Sequence, residues 1–115
     1  MTDDCIFCRI ARGELGTPFV AESEYNVAFR DLAPQAPTHV LVAPRQHFAR
    51  LQDAASQRAD IVADALTLAI EVARREGLLE SGYRVVANDG PDAGQTVHHL
   101  HFHVLGGAKL LVGLG

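Results

Sequence analysis

Four of the six histidines lie in one short segment, and imidazole is the side chain best suited to proton transfer or nucleophilic attack at neutral pH. From residue 99 to residue 105 histidine alternates with apolar residues, in the order His-Leu-His-Phe-His-Val-Leu. A period of two is that of a β-strand, so we predict that His99, His101 and His103 project from one face, about 6.6 Å apart from neighbour to neighbour. The intervening side chains would enter the core, and they are Leu100, Phe102 and Val104.

Three imidazoles in register are unstable as three close cations, and they are stable when some are neutral, bound to a metal or facing an anion. A metal site is one alternative, but no carboxylate follows His101 and His103 to complete a facial set of ligands. We therefore favour catalysis on an anionic substrate as the interpretation of this segment.

A glycine-containing loop leads directly into the histidines. Residues 88–96 read Asn-Asp-Gly-Pro-Asp-Ala-Gly-Gln-Thr. Glycines allow backbone N–H groups to approach an anion, and Asn88 and Thr96 supply further hydrogen-bond donors. The anion most compatible with this loop is a phosphate.

Cys5 and Cys8 are the only cysteines, and they are too few and too close together to staple a domain. Metal binding, redox chemistry and simple packing as reduced thiols stay open. Tetrahedral zinc needs four ligands and the chain has no second cysteine pair, so histidines would have to complete such a site. A redox pair is disfavoured because no clear βαβ pattern follows it.

Composition limits the classes of function. A chain of 115 residues with 48% hydrophobic residues is the size of one domain, which we assign to residues 1–115. The net charge of −4 argues against general nucleic-acid binding. No apolar run approaches the length of a membrane span and the acidic start does not resemble a signal peptide, so we expect a cytoplasmic protein without membrane contact.

Hydrophobic periodicity predicts an α+β fold, in which an antiparallel sheet of about five strands packs against one long helix. The helix is predicted over residues 53–76, with Asp53 or Ser56 as N-cap and Gly77 as the stop signal. The strands are predicted at residues 19–21, 25–29, 38–43, 83–88 and 96–105.

The segment from His99 to Leu105 resembles the signature of the histidine triad (HIT) family. The flanking Gly-Gln-Thr-Val at 94–97 and Gly-Gly at 106–107 are most similar to the Hint branch, whose members hydrolyse purine nucleoside phosphoramidates. The resemblance covers nearly the whole chain and implies a HIT-like fold. It continues, in the family's order, through residues 5–8 (Cys-Ile-Phe-Cys), 29–31 (Phe-Arg-Asp), 34–39 (Pro-Gln-Ala-Pro-Thr-His) and 44–47 (Pro-Arg-Gln-His).

This resemblance implies that His101 attacks the α-phosphorus and forms a nucleotidyl-histidine intermediate, which water then hydrolyses. His103 would donate to a phosphate oxygen, and Asp31 would hold the ribose hydroxyls. The remaining contacts to the nucleotide would come from an apolar wall and from the loop, namely Ile6, Phe7, Ile10, Phe29, Leu32, Asn88, Gly94, Gln95 and Thr96. No cofactor would be required for catalysis.

The resemblance also implies a structural zinc ion, because bacterial members with this cysteine pair bind zinc. The implied ligands are Cys5, Cys8, His47 and His99. His39 would pack behind the triad and orient one imidazole by a hydrogen bond.

Three other expectations concern function and assembly. The tail at residues 108–115 departs from the Hint pattern, which leaves the leaving group open. The alternatives are a dinucleoside polyphosphate hydrolase of the Fhit type and a non-catalytic nucleotide-binding module. A homodimer is expected from the family and from extra apolar residues beside the main stripe of the helix, at Val62, Leu66, Ile70 and Ala73.

Overall fold

The computed structural model describes residues 4–111, so the first three residues and the last four of the divergent tail lie outside the described part. Within this range the chain forms an antiparallel five-stranded sheet in the spatial order β1-β2-β3-β5-β4. The predicted α+β class is confirmed. The strands are β1 (Ala21–Glu22), β2 (Asn26–Arg30), β3 (Thr38–Pro44), β4 (Tyr83–Val86) and β5 (Phe102–Gly106).

Helices frame this sheet. The described α-helices are α1 (Ile6–Ala11), α2 (Leu51–Gln57) and α3 (Ala59–Arg75), and a short 3-10 helix covers Pro91–Ala93. The long helix α3 packs across β1, β2, β3 and β5. No helix between residues 4 and 111 is both long and apolar enough to cross a bilayer.

The two faces of the sheet bury separate apolar clusters, because side chains alternate along each strand. Under α3 lie, among others, Val40, Val42, Phe102 and Val104. The opposite face carries α1 and a second cluster formed by Phe7, Ile10, Val27, Phe29, Leu41 and Ala43. His103 pairs with Leu41 in the β3–β5 ladder and therefore faces the α1 side of the sheet.

The last strand is shorter than predicted. It begins at Phe102, so His99 and His101 precede the strand and do not lie on it. The ladder ends here because Pro44 has no N–H to donate and its carbonyl accepts a hydrogen bond from the His99 ring, at 2.8 Å. The Leu100 N–H instead donates to Phe48 O at 2.7 Å.

The predicted single helix over residues 53–76 is also wrong in detail. The chain breaks it at Arg58, whose φ of −148° and ψ of 67° are not helical, into α2 and α3. Neither Asp53 nor Ser56 is an N-cap, because the two helices follow Arg50 and Arg58, and neither of these caps with its side chain. Gly77 does follow the end of α3 with a positive φ of 75°, as predicted.

The other predicted strands also differ at their ends, and the third runs one residue further than predicted, to Pro44. Phe19 and Val20 lie outside the first strand, and Tyr25 lies outside the second. The fourth strand ends at Val86, two residues before Asn88. Asn88 therefore belongs to the loop that precedes the histidines.

Candidate functional site

His101 is held by the main chain two residues before it. Its Nδ1 lies 2.7 Å from His99 O, and the side chain is buried, with 8% of its surface exposed. A carbonyl oxygen only accepts hydrogen bonds, so Nδ1 carries the proton and Nε2 keeps its lone pair. The Phe7 ring contacts the imidazole edge-on, with ring centroids 5.0 Å apart, and fixes its plane. In its neutral form, His101 thus presents the lone pair of Nε2 as a nucleophile.

His103 has the opposite tautomer, imposed by a chain of hydrogen bonds. The backbone N–H of Gln35 donates to His39 Nδ1 at 3.0 Å, so the proton of His39 sits on Nε2. That N–H donates to His103 Nδ1 at 2.8 Å. The His103 proton is consequently on Nε2, and this nitrogen is a donor. The hydrogen bond predicted for His39 is confirmed.

The two rings lie side by side, with centroids 5.1 Å apart. One offers a lone pair and the other offers an N–H, which is the pair of groups needed to attack an electrophile and stabilise the oxygen attached to it. Burial above all, and then the neighbouring imidazoles of His101 and His39, lower the pKa of His103 to about 4, and the carboxylate of Asp31 only partly opposes this shift. His103 therefore remains neutral at physiological pH, as this tautomer requires.

Asp31 directly follows β2, and its side chain lies beside His39. Its Oδ1 accepts the N–H of Ala33 at 2.8 Å, which makes it a turn cap. Its Oδ2 lies 3.5 Å from His39 Nε2. The structure thus brings Asp31 next to His39 and His103. One of its carboxylate oxygens can still accept further hydrogen bonds.

The loop at residues 88–96 turns through two glycines with positive φ, Gly90 at 90° and Gly94 at 80°. The Gly94 N–H and the Gln95 side chain, both predicted to face the nucleotide, instead form hydrogen bonds with other protein groups. The Gly94 N–H donates to Pro91 O at 3.1 Å. The Gln95 side chain accepts from the Gly90 N–H and donates to Ala49 O, each at 2.8 Å.

Thr96 differs from these residues, because its N–H and hydroxyl have no protein partner among residues 4–111. Its side chain is exposed, and the half-buried Asn88 stands at the other end of the loop. Thr96 and the Asn88 side chain, which likewise has no hydrogen-bond partner among residues 4–111, therefore offer donors, whereas Gly94 and Gln95 shape the loop.

The predicted apolar wall divides into two parts. Phe7, Ile10 and Phe29 are buried in the cluster on the α1 face. Phe7 and Phe29 meet edge-to-face, with centroids 5.4 Å apart. Ile6 is half-exposed and Leu32 is fully exposed. Ile6 and Leu32 thus present apolar surface to solvent, whereas the other three residues belong to the core.

A second cluster lies behind the reaction centre. Cys5, Cys8, His47 and His99 each contribute one ligand atom, and these four atoms lie within 4.8 Å of one another. His99 Nδ1 is 3.3 Å from Cys5 Sγ and 3.5 Å from Cys8 Sγ, and His47 Nδ1 is 3.4 Å from Cys8 Sγ. In a tetrahedral zinc site a sulfur and a nitrogen ligand stand about 3.5 Å apart. The donor set therefore fits zinc in both chemistry and spacing.

The hydrogen bonding of His99 supports the same conclusion. Its Nε2–H donates to Pro44 O, so the Nδ1 lone pair faces the two sulfurs. In the protein without metal, burial lowers the pKa of His99 to about 4 and raises that of Cys8 to about 11. Burial thus leaves His99 neutral with a free lone pair, which is the form that binds a metal, while Cys8 would release its proton to solvent on binding the ion.

Comparisons with known proteins agree with these features. The chain matches the HIT domain family over residues 12–110. It is 36% identical over 110 residues to the purine nucleoside phosphoramidase of Escherichia coli strain K12, an alignment that covers 96% of this chain and 92% of that protein. It is 44% identical over 107 residues to the 14 kDa zinc-binding protein of Zea mays, covering 91% of this chain and 83% of that one.

Solved structures give the same picture. A HIT family hydrolase from Legionella pneumophila superposes with a TM-score of 0.92 at 42% identity, covering 97% of this chain and all of the other. A zinc-bound histidine triad family protein from Mycobacterium smegmatis superposes with a TM-score of 0.81 at 33% identity, covering 97% and 83%. By sequence and by fold, this chain belongs to the HIT family.

Proposed function

We propose that this protein hydrolyses purine nucleoside 5′-phosphoramidates, such as those of ammonia or lysine, to the nucleoside monophosphate and the free amine. The observation that carries the proposal is the pair of complementary tautomers, a lone pair on His101 Nε2 beside an N–H on His103 Nε2. Similarity to a purine nucleoside phosphoramidase supports the choice of substrate.

In the first step, His101 Nε2 attacks the α-phosphorus and forms a new phosphorus–nitrogen bond. The bond to the amine breaks, and the amine leaves with that electron pair after taking up a proton. The His103 N–H and the Thr96 donors stabilise the phosphate oxygens, on which negative charge accumulates. In the second step, water attacks the same phosphorus, loses a proton and releases His101. Because the reaction takes place in two steps, water, which is a weak nucleophile, does not have to displace the amine directly.

The nucleoside would be held on the α1 face of the sheet. Asp31 would accept hydrogen bonds from the two ribose hydroxyls with its free accepting capacity. The exposed surfaces of Ile6 and Leu32 would cover the base, and a purine gains more than a pyrimidine because it buries more area.

Zinc is proposed to be structural, with Cys5, Cys8, His47 and His99 as its ligands. With four protein ligands such an ion has no open position, so it would stabilise the fold without touching substrate. Cysteines kept as thiolates by a metal suit a reducing compartment such as the cytosol.

We also propose a homodimer of single-domain chains. Only part of the predicted apolar row on α3 is free to contact a partner subunit. Ala73 is buried within this chain, and Val62 packs against this chain's core. Leu66 and Ile70 stay about half-exposed one helical turn apart. A two-fold partner would cover them.

Turnover of adenosine 5′-phosphoramidate by the wild type and by His101→Ala tests the proposed function. We expect the variant to lose turnover, while AMP still binds because the ribose and base contacts remain. Rapid quenching of the wild type in alkaline denaturant should trap an AMP adduct on His101, detectable by mass spectrometry, because the phosphorus–nitrogen bond is labile only in acid. Substantial turnover by His101→Ala would refute the mechanism, and a preference for dinucleoside polyphosphates would refute the substrate.

A further inference from the structure

The loop that precedes the histidines is attached along one short stretch of chain, the anchor segment at residues 48–51. Each of its four residues bonds to the segment between residues 89 and 100. Phe48 O accepts the Leu100 N–H at 2.7 Å, and Ala49 O accepts the Gln95 side-chain amide at 2.8 Å. The last two residues of the anchor segment both bind Asp89.

Asp89 uses both of its carboxylate oxygens. Oδ1 accepts the Leu51 N–H at 2.7 Å, and Oδ2 accepts the Nε–H of Arg50 at 2.9 Å. Leu51 is the first residue of α2, so Asp89 supplies the N-terminal cap that Arg50 does not provide. One side chain thereby joins the start of a helix to the start of the loop.

The packing at Gly90 shows how closely this joint is built. The Arg50 guanidinium covers Gly90, and a Cβ at that position would stand 2.8 Å from Arg50 Nη2. Gly90 is also buried and has a positive φ of 90°. Gln95 closes the other end of the loop by accepting the Gly90 N–H. The position of the Thr96 donors thus depends on the anchor segment rather than on the sheet.

We propose that Asp89, acting through Arg50 and Leu51, is the positioning residue of this loop and sets the affinity for the 5′-phosphate without contributing to nucleoside binding. Asp89 does not touch the substrate in this proposal. The inference rests on the proposed function, because it takes the loop as the phosphate site.

Two readouts on three variants test it. Asp89→Asn keeps the shape but replaces one acceptor with an NH2 group, and Arg50→Gln removes the cation. Arg74→Gln is the matched control, since Arg74 forms an exposed ion pair with Glu71 on α3 away from the loop. The first readout is amide hydrogen exchange of the loop without ligand. The second is the affinity for AMP and for adenosine, measured by calorimetry.

We expect faster exchange at Gly90 and Gln95 in both test variants. We also expect AMP affinity to fall by about tenfold, the effect of losing roughly one charge-assisted hydrogen bond, while adenosine affinity stays within twofold. The control should match the wild type in both measurements.

Unchanged loop exchange in both variants would overturn the anchoring role. Faster exchange with unchanged AMP affinity, or an equal loss of adenosine affinity, would overturn the link to phosphate. Wild-type protein that binds AMP no better than adenosine would instead refute the phosphate site, and with it the proposed function.

Discussion

Replacing His39 with phenylalanine tests the arrangement of the reaction centre, because His39 dictates which nitrogen of His103 carries the proton. The His39 side chain is only 5% exposed, so its 2.8 Å hydrogen bond to His103 is shielded from water. Phenylalanine fills a similar volume and donates no hydrogen bond. His103 Nδ1 would then lose its donor, and no group would hold the proton of His103 on Nε2, so the tautomer protonated on Nδ1 becomes accessible.

The expected magnitude follows from these contacts. An unsatisfied buried acceptor costs about 1–3 kcal/mol of folding free energy, which lowers the melting temperature by at least about 4 °C for a domain of this size. Loss of one donor to the transition state lowers kcat by about 100-fold. KM should change less, because Asp31 keeps its hydrogen bond from the Ala33 N–H and the proposed base contacts at Ile6 and Leu32 do not involve His39.

Steady-state kinetics with adenosine 5′-phosphoramidate gives both constants, and 15N NMR of the imidazoles reports the tautomers directly. His98→Phe is the control, since His98 is an exposed neighbour outside this chain of hydrogen bonds. A kcat for His39→Phe within threefold of the wild type, or a wild-type His103 protonated on Nδ1, would refute the reasoning.

The remaining predictions concern metal, assembly and pH. Elemental analysis should find about one zinc per chain, and Cys5→Ser should lose the zinc and melt at least about 4 °C lower. If the wild type contains no zinc, the cysteines are only packed as reduced thiols. Light scattering should give twice the 12.4 kDa mass of one chain, and Leu66→Glu should reduce it to the mass of one chain. Leu15→Glu is the control and should leave the mass unchanged, because Leu15 is about as exposed as Leu66 but lies away from α3. An unchanged mass for Leu66→Glu would place the interface elsewhere. Because burial lowers the pKa of His103 from 6.5 to about 4, the unfolded chain binds the additional proton between these values, so stability should fall as the pH drops from 6.5 through 4. Denaturant unfolding at pH 7 and pH 4.5 checks this, and an equal pH dependence in His103→Asn would contradict it.

Local pattern predicted much of the fold. Alternating apolar residues located Phe102 and Val104 in the core, and Gly77 was correctly assigned as the end of a helix. The same pattern failed at its edges, because alternation continues through His99 while strand pairing stops at Phe102. Strand pairing depends on a partner with a free N–H and C=O, and Pro44, about 55 residues away, removes both.

The candidate site shows the same division between local and long-range information. Residue type and spacing selected the histidines, the cysteine pair and the loop, and the structure brings the histidines and the cysteines together in two adjacent clusters. The role of Asp89 could not be predicted, because its partners Arg50 and Leu51 are 39 and 38 positions away. An Asp before a glycine turn is common, and in the sequence it indicates only a turn.

His99 shows why the two clusters are adjacent. Its side chain faces Cys5 and Cys8, while its main-chain carbonyl orients the His101 ring. Any residue at position 99 would provide a carbonyl, so the orientation of the nucleophile does not require the imidazole itself. What the imidazole adds is position, because its Nε2–H bond to Pro44 and its contacts to the sulfurs fix the main chain from which that carbonyl projects. A change in the cysteine cluster can therefore reach the reaction centre by displacing the main chain at His99, or by displacing Phe7, which lies between the two cysteines and contacts the His101 ring. Such a change should lower kcat while leaving the tautomer of His103 unchanged.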